Sequence, residues 1–306
     1  MPFVRADLVP ATFAQQVSEY EPEPDIAGAD WIRTLPSLVD ECVERWGLEI
    51  DGPPRHGYVA LVLPVRRDGE PAMLKISWPH PEAEHEHLAL RAWDGHGAAR
   101  LLAADPSRWA MLLERLDDSR TLATQPVERS CQVIGELLGR LAIPATPKFE
   151  RLSAYVADLP EEFAEAREVL PRQLVDRAIA LVGELTQDDA VDSRLVHIDL
   201  HDENVLAATR EPWLAIDPKP LAGDPAFCVA PALWNRWGAA VSGGRAHHEL
   251  RRRLEIICDA GGIDADRARA WTIVRLVDNA SGGGTGPEGH DWATVAVTII
   301  KAMLAP

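Results

Sequence analysis

The stretch "LVHIDLHDENVLAATREPWLAIDPKPLAGDPAF", residues 195–227, restricts the fold more than any other part of the chain. Its short apolar runs, "NVLAA" and "WLAI" among them, read as buried strands. Between the runs stand His197, Asp199, His201, Asp202, Glu203, Asn204, Asp217 and Asp224. A desolvated carboxylate is costly unless something compensates it, so a fold that closes over this stretch must supply positive charge. Asn204 follows Asp199 by five positions and Asp217 follows Asn204 by thirteen. A hairpin fits between them, with strands "NVLAA" and "PWLAID" and the turn "TRE". It allows Asn204 and Asp217 to lie side by side at one edge. Amide and carboxylate oxygens are hard ligands, suited to Mg²⁺ bound together with phosphates. Asp199, free of metal, is placed to accept a hydroxyl proton.

Upstream the chain reads differently. "LPSLVDECVERWGL" carries apolar residues at helical spacing, with Pro36 near its start and Gly47 near its end. "YVALVLPVRR" and "PAMLKISW" flank Asp68-Gly69, a strong hairpin signal. "PEAEHEHLALRAWDGHG" reads as a helix starting at Pro81, and "ARLLAAD" and "RWAMLLERL" as two more strands around Pro106-Ser107. Beyond Asp118 helical patterns dominate, over 126–142, 148–168, 171–187, 225–242, 246–260, 264–280 and 288–303. The fold class is therefore α+β. We expect an N-terminal extension over 1–35 with an extended linker at 21–25, a small β-rich lobe over 36–115 and a larger helical lobe over 116–306.

Composition narrows the function. The net charge of −17 argues against nucleic acid as the main partner, because phosphate backbones need a basic surface. It suits a cationic small molecule. There is no apolar run of about 18 residues to span a membrane, and acids and prolines interrupt the N-terminus where a secretory signal needs an unbroken apolar stretch. The expected location is cytoplasmic. Cys42, Cys131, Cys228 and Cys258 lie far apart and read as reduced, buried thiols. Lysine occurs only at 75, 148, 219 and 301, which singles out each of them.

The combined pattern resembles the kinase catalytic core, where an H-x-D-x-x-x-x-N loop supplies base and metal ligand and a later Asp holds Mg²⁺. "HIDLHDENVL" followed by "AIDPKPLAGDPAF" is similar to the aminoglycoside phosphotransferase family, in its streptomycin and hydroxyurea phosphotransferase branch. The likeness reaches back through "HGYVALVLPVRRDGEPAMLKISWPHPEAEHEHLALRAWDG" and covers roughly residues 50–240. It implies a two-lobed, protein-kinase-like fold that moves the γ-phosphoryl of ATP, with Mg²⁺, to a hydroxyl of a streptomycin-like aminocyclitol. Another amino sugar, hydroxyurea or another cationic antibiotic is the alternative acceptor.

Carried onto this chain, the resemblance makes Asp199 the base, His197 the prop of its loop, and Asn204 and Asp217 the metal ligands. Lys75 reaches the ATP phosphates and is held by a helix glutamate, Glu86 in preference to Glu82 or Glu84. Glu114 and Arg115 offer backbone groups to the adenine at the hinge between the lobes. The chain departs from the pattern in four places. Ile198 stands where many relatives have Gly, and Pro218-Lys219 replaces the Phe-Gly of protein kinases. Only "RHGYVA", not a G-x-G-x-x-G, precedes Lys75, and Met73 stands where a small residue is common near the adenine.

Competing readings explain less. His197, Asp199 and His201 alternate and on a strand would make a metal face, as in a metallohydrolase, but this leaves Lys75, Asn204 and Asp217 unexplained. A protein kinase needs a long segment and an A-P-E motif after the metal-binding Asp, whereas helix signals here resume at Asp224. A non-catalytic nucleotide-binding module would have lost the base, lysine or metal ligands. Asp224-Pro225 reads as a helix N-cap. Lys219 either pairs with an acid or touches phosphate. Asp202 and Glu203 read as surplus carboxylates beside the base, and Trp234-Asn235 and Asp278-Asn279 as possible cleft residues. "SGGGTGPEG" at 281–289 lacks the Walker lysine and reads as a connector.

Overall fold

Asp68 and Gly69 have φ of 53° and 81°, the pair of left-handed conformations that a tight hairpin turn demands. They fold β3 (Ala60–Arg67) onto β4 (Glu70–Ser77), with Arg67 opposite Glu70 and Ala60 opposite Ser77. The computed structural model describes residues 8–21, 26–281 and 286–305. Parts of the N-terminal stretch, of the linker at 21–25 and of the glycine-rich stretch at 281–289 therefore lie outside the described residues. The chain divides into two units, Met1–Leu116 and Asp117–Pro306.

In the first unit β3 and β4 lie at the heart of an antiparallel sheet. With β1 (Leu48–Ile50), β5 (Leu101–Asp105) and β6 (Ala110–Glu114) its order is β1-β3-β4-β6-β5, and β2 (Arg55–His56) also pairs with β3. Alternation along β4 divides its two faces. Ala72, Leu74 and Ile76 enter a core with Leu61, Leu63, Val65 and Leu112, leaving Met73, Lys75 and Ser77 for the other face. Helices α1 (Ala11–Ser18) and α2 (Gly28–Trp46) add Phe13, Val17, Trp31, Leu35 and Val39 to that core. They approach so closely that a Cβ at Gly28 would lie 1.7 Å from the Val17 carbonyl oxygen. Helix α2 begins eight residues ahead of Pro36, so the proline is internal and not a start signal. Likewise α3 covers Glu86–Trp93 only, preceded by a 3₁₀ turn at Pro81–Ala83.

The second unit contains helices α4 (Val127–Leu141), α5 (Leu152–Tyr155), α6 (Leu159–Ala166), α7 (Arg172–Leu185), α8 (Ala230–Trp234), α9 (Trp237–Val241), α10 (Ala246–Gly261), α11 (Ala265–Ser281) and α12 (Trp292–Leu304). Helices α4 and α10 meet at Gly135 and Gly139, where added Cβ atoms would stand 2.3 Å and 2.7 Å from the Ile257 and Gly261 carbonyl oxygens. Two small antiparallel sheets carry the motif. One contains β7 (Asp117–Thr121), β10 (Val205–Ala207) and β11 (Trp213–Ala215); the other contains β8 (Ile143–Pro144), β9 (Arg194–His197) and β12 (Pro220–Gly223). The expected helices over 148–168 and 225–242 are each broken. The second break lies at Arg236, whose φ of 54° no right-handed helix accommodates. No helix among the described residues is long and apolar enough to cross a membrane.

Candidate active site

In the first unit Lys75 projects from β4 towards the first turn of α3. Its Nζ donates to both carboxylate oxygens of Glu86, each at 2.7 Å. Both side chains are buried, whereas Glu82 and Glu84 are exposed. Helix geometry explains the choice. Glu86 is the first residue of α3, where the carboxylate benefits from the unpaired N–H groups of the helix start. Two charges lost from water are retained here by a bidentate contact between them. Glu114 and Arg115 point their side chains into their own unit. Glu114 Oε1 accepts from the Arg100 N–H at 2.7 Å. Arg115 donates to Asp51 at 2.7 Å and to the Ala72 and Val65 carbonyls. Arg115, with Arg66, holds the Asp51 carboxyl below its ordinary value. The stretch "RHGYVA" forms a short turn between β2 and β3, closed by Gly57 N–H donating to the Ala60 carbonyl.

In the second unit the H-x-D motif begins where β9 ends. His197 pairs with Pro220 in the β9–β12 register, and one residue later Ile198 N–H donates to the Lys219 carbonyl at 3.0 Å. His197 is fully buried. Its Nε2 lies 3.1 Å from the Ile216 carbonyl, and its Nδ1 accepts the Asp199 N–H at 3.2 Å. A carbonyl only accepts and an amide N–H only donates, so the ring is the neutral tautomer with the proton on Nε2. Burial holds its pKa down at about 4, against the opposing pull of Asp199. His197 thus ties the Asp199 peptide to the residue before Asp217.

The hairpin brings the proposed ligands together. Val205 faces Ala215, and Ile216 N–H donates to the Asn204 carbonyl, which leaves Asp217 adjacent. Asn204 Nδ2 donates to the Asp199 carbonyl at 3.0 Å, so its amide oxygen is the atom remaining for a metal. Asp217 has φ of 53°, a left-handed conformation that non-glycine residues adopt at a cost and that clusters at functional sites. One amide oxygen and one carboxylate fit a Mg²⁺ ion that shares its other positions with phosphates and water. Among the described residues no three His, Cys, Asp or Glu side chains are grouped to hold a metal. The alternating His197, Asp199 and His201 do not share a strand face: β9 stops at His197, and His201 instead caps the 3₁₀ turn Asp202–Asn204 through the Glu203 N–H. Lys219 Nζ lies 3.3 Å from Asp199 Oδ2.

Residues 45–282 match the model of the family described as "Aminoglycoside/hydroxyurea antibiotic resistance kinase". The chain belongs to this family. The kinase is 42% identical over 260 residues to streptomycin 6-kinase of Streptomyces glaucescens, covering 83% of this chain and 84% of the relative. It is 43% identical over 263 residues to hydroxyurea phosphotransferase of Kitasatospora aureofaciens, covering 83% and 74%. Among solved structures it resembles the aminoglycoside phosphotransferase APH(4)-Ia in ternary complex with ADP and hygromycin B, with TM-score 0.55 and 13% identity over 88% of this chain and all of that one. A choline/ethanolamine kinase family protein from Mesorhizobium loti gives TM-score 0.52 at 16% identity, over 88% and 96%. These neighbours establish a kinase-like fold.

Three charged residues of this kinase, Asp202, Arg236 and Arg275, make contacts that no local sequence signal marks. Asp202 is not a surplus carboxylate: it is buried, 3.4 Å from Arg236 Nη1, which also donates to the Gln125 carbonyl at 2.8 Å. Arg275, on α11, donates to the Ile198 carbonyl at 2.5 Å. Glu203 remains exposed. Asp224 caps the next turn through the Ala226 N–H, as its Asp-Pro context predicts, and also accepts from Arg267 and from Trp271 Nε1. Trp234 is buried against Arg275 and Trp292, and the half-buried Asn235 donates to the Pro231 carbonyl. Burial raises the Asp278 carboxyl above its ordinary value, with Arg275 opposing. All four cysteines are free and buried, and burial pushes the thiol of Cys131 up to about 12.

Proposed function

We propose that this kinase transfers the γ-phosphoryl group of ATP to a hydroxyl of a cationic, streptomycin-like aminocyclitol. The observation that carries the reading is the Asp199 loop, its backbone fixed by His197, in a chain 42% identical to a streptomycin 6-kinase. Asp199 orients the acceptor hydroxyl and takes its proton. Lys75, immobilised by Glu86, presents a fixed positive charge to the nucleotide phosphates. Asn204 and Asp217 hold Mg²⁺, which when bound supplies charge stabilisation to the transferring phosphoryl group. Lys219, beside Asp199, prevents the base from meeting the phosphates as an uncompensated negative charge. Glu114 and Arg115 contribute main-chain groups to the adenine. The net charge of −17 favours a guanidinium-bearing acceptor, because carboxylates bind that group bidentately.

The relative named hydroxyurea phosphotransferase, at 43% identity, supports a second reading with a small neutral hydroxyl acceptor. ATP consumption with streptomycin, other aminoglycosides, hydroxyurea and neutral sugars separates them, each compound at low and high salt. Turnover with streptomycin, with a KM that rises with salt, is expected, since exposed charge attraction is screened over about 8–10 Å. Turnover with hydroxyurea alone, indifferent to salt, selects the second reading. Turnover with a neutral sugar alone overturns both.

A further inference from the structure

The peptide unit joining Ile198 to Asp199 has two polar poles, and both are gripped. The N–H pole donates to His197 Nδ1 at 3.2 Å, and the C=O pole accepts from Arg275 Nη1 at 2.5 Å. The preceding N–H, of Ile198, is bonded to the Lys219 carbonyl. A peptide plane is rigid, and only the torsions on either side of it can turn the next residue. Fixing both poles therefore fixes the direction in which Asp199 leaves the backbone. His197 ends β9 and Lys219 immediately precedes its partner strand β12, so both are close to the loop in the chain or in the sheet register. Arg275 belongs to α11 and reaches back across 77 positions of sequence.

Its surroundings hold it in place. The guanidinium carbon lies 4.8 Å from the Phe227 ring centroid and 5.2 Å from that of Trp234. Such faces attract a cation while leaving its N–H groups for other partners. The rings are braced in turn, Phe227 edge-on to Trp271 at 5.2 Å and Trp234 edge-on to Trp292 at 5.7 Å. Arg275 Nη1 also lies 3.5 Å from the Phe227 carbonyl. The hydrogen bonds of a partly buried charge thus go to backbone carbonyls. Arg267, by contrast, is paired with the Asp224 carboxylate. Arg275 is committed to the peptide ahead of the base.

We infer that Arg275 is a positioning residue for phosphoryl transfer, aiming Asp199 at the acceptor hydroxyl through the Ile198 carbonyl. The inference rests on the reading of Asp199 as the base. It is tested by a double-mutant cycle between Arg275→Met, which keeps a stem over the rings but removes the donors, and Asp199→Asn. Misplacement of a reacting group by about 1 Å is worth about 10²-fold in rate. Arg275→Met should accordingly lower kcat by about that factor, with KM for ATP and acceptor within about threefold of wild type. In the Asp199→Asn background the same change should lower kcat by less than about threefold, because the group it aims is already disabled. Equal losses in both backgrounds, or a loss confined to the KM for ATP, overturn the inference. Wild-type turnover by Asp199→Asn alone overturns the base reading, a separate result. If Arg275→Met does not give a cooperative thermal transition, Arg275→Lys takes its place. Its single ammonium cannot reproduce a planar group that reaches the carbonyl while lying against both rings. A fall in kcat of about tenfold that disappears beside Asp199→Asn supports the inference, and wild-type kcat in Arg275→Lys refutes it.

Discussion

Lys75 and Asp199 are fixed in opposite ways. Lys75 is held through its side chain, by two hydrogen bonds to a buried carboxylate eleven positions away. Asp199 is held through its backbone: His197 takes its N–H, Asn204 takes its carbonyl, and Arg275 takes the carbonyl before it. The difference follows from the proposed tasks. A lysine that only presents charge to phosphates can be anchored by its own charge. A base has to keep its carboxylate accessible, so its restraint is moved to the peptide and to neighbours that leave the side chain exposed to a substrate. Lys219 approaches the carboxylate at 3.3 Å, and its own side chain is one-third exposed.

The largest effects test that contrast directly. Asp199→Asn should lower kcat by about 10²–10⁴, the usual worth of general-base help, with thermal stability unchanged because the anchoring contacts are backbone contacts. Lys75→Met should both cripple turnover and destabilise the unit by about 3–5 kcal/mol, because it leaves the Glu86 carboxylate buried without its cation. Steady-state rates and urea titrations on the two variants provide the comparison. A Lys75→Met protein as stable as wild type, or an Asp199→Asn protein that has lost stability, would show that the two residues are not anchored in the ways described.

The same contrast decides what could be read from sequence. The β3–β4 hairpin was legible because Asp68-Gly69 is a local signal, whereas the pairing of Lys75 with Glu86 came from the family resemblance, the sequence itself placing three glutamates on one helix read from Pro81. His197, Asp199, Asn204 and Asp217 were legible as one spacing pattern. Arg275 and Arg236 were not, since their contacts span 77 and 34 positions and no local chemistry marks them. The break at Arg236 was hidden for a related reason: the residue carries no turn signal, and tertiary hydrogen bonds hold it in a left-handed conformation. Strand β7, "DDSRT", has the composition of a loop and becomes a strand only by pairing with the buried β10. In α2 the signal was present but misplaced, because Pro36 is tolerated inside a helix whose stability comes from its buried face.

A smaller effect concerns the histidine that joins the two halves of the motif. His197 is held at a pKa of about 4, below its ordinary 6.5. Between those values the unfolded chain binds a proton that the folded protein refuses. Stability is therefore fully present above about pH 6.5 and declines as pH falls towards 4, by about 3 kcal/mol at most from this residue. Urea midpoints of wild type and His197→Gln, followed from pH 7 to pH 4.5, isolate the contribution, since other titrating groups are common to both. The variant should show the shallower decline. Parallel curves would mean that His197 is not the neutral, buried anchor of the Asp199 peptide.

The smallest expected effects, those at Glu82 and Glu84, sharpen the Lys75 side of the comparison. Glu82, Glu84 and Glu86 stand two apart around the start of α3, and the sequence alone offers all three as partners for Lys75. The structure separates them physically. Glu82 lies in the 3₁₀ turn and Glu84 just after it, both exposed, and only Glu86 turns inward as the helix begins. An exposed carboxylate, even where it pairs at the surface, contributes no more than about 1 kcal/mol. Glu82→Gln and Glu84→Gln should therefore stay close to wild type in urea midpoint and in KM for ATP. Glu86→Gln keeps the shape but removes the charge, leaving the Lys75 ammonium buried beside a neutral amide. It should lose stability by about 3–5 kcal/mol, as breaking a buried pair does, and raise the KM for ATP as the lysine loses its fixed position. A silent Glu86→Gln beside a damaging Glu82→Gln or Glu84→Gln would mean that α3 rotates or shifts to present a different carboxylate to Lys75 when nucleotide is bound. The anchor on Lys75 would then be as dependent on its surroundings as the one on Asp199.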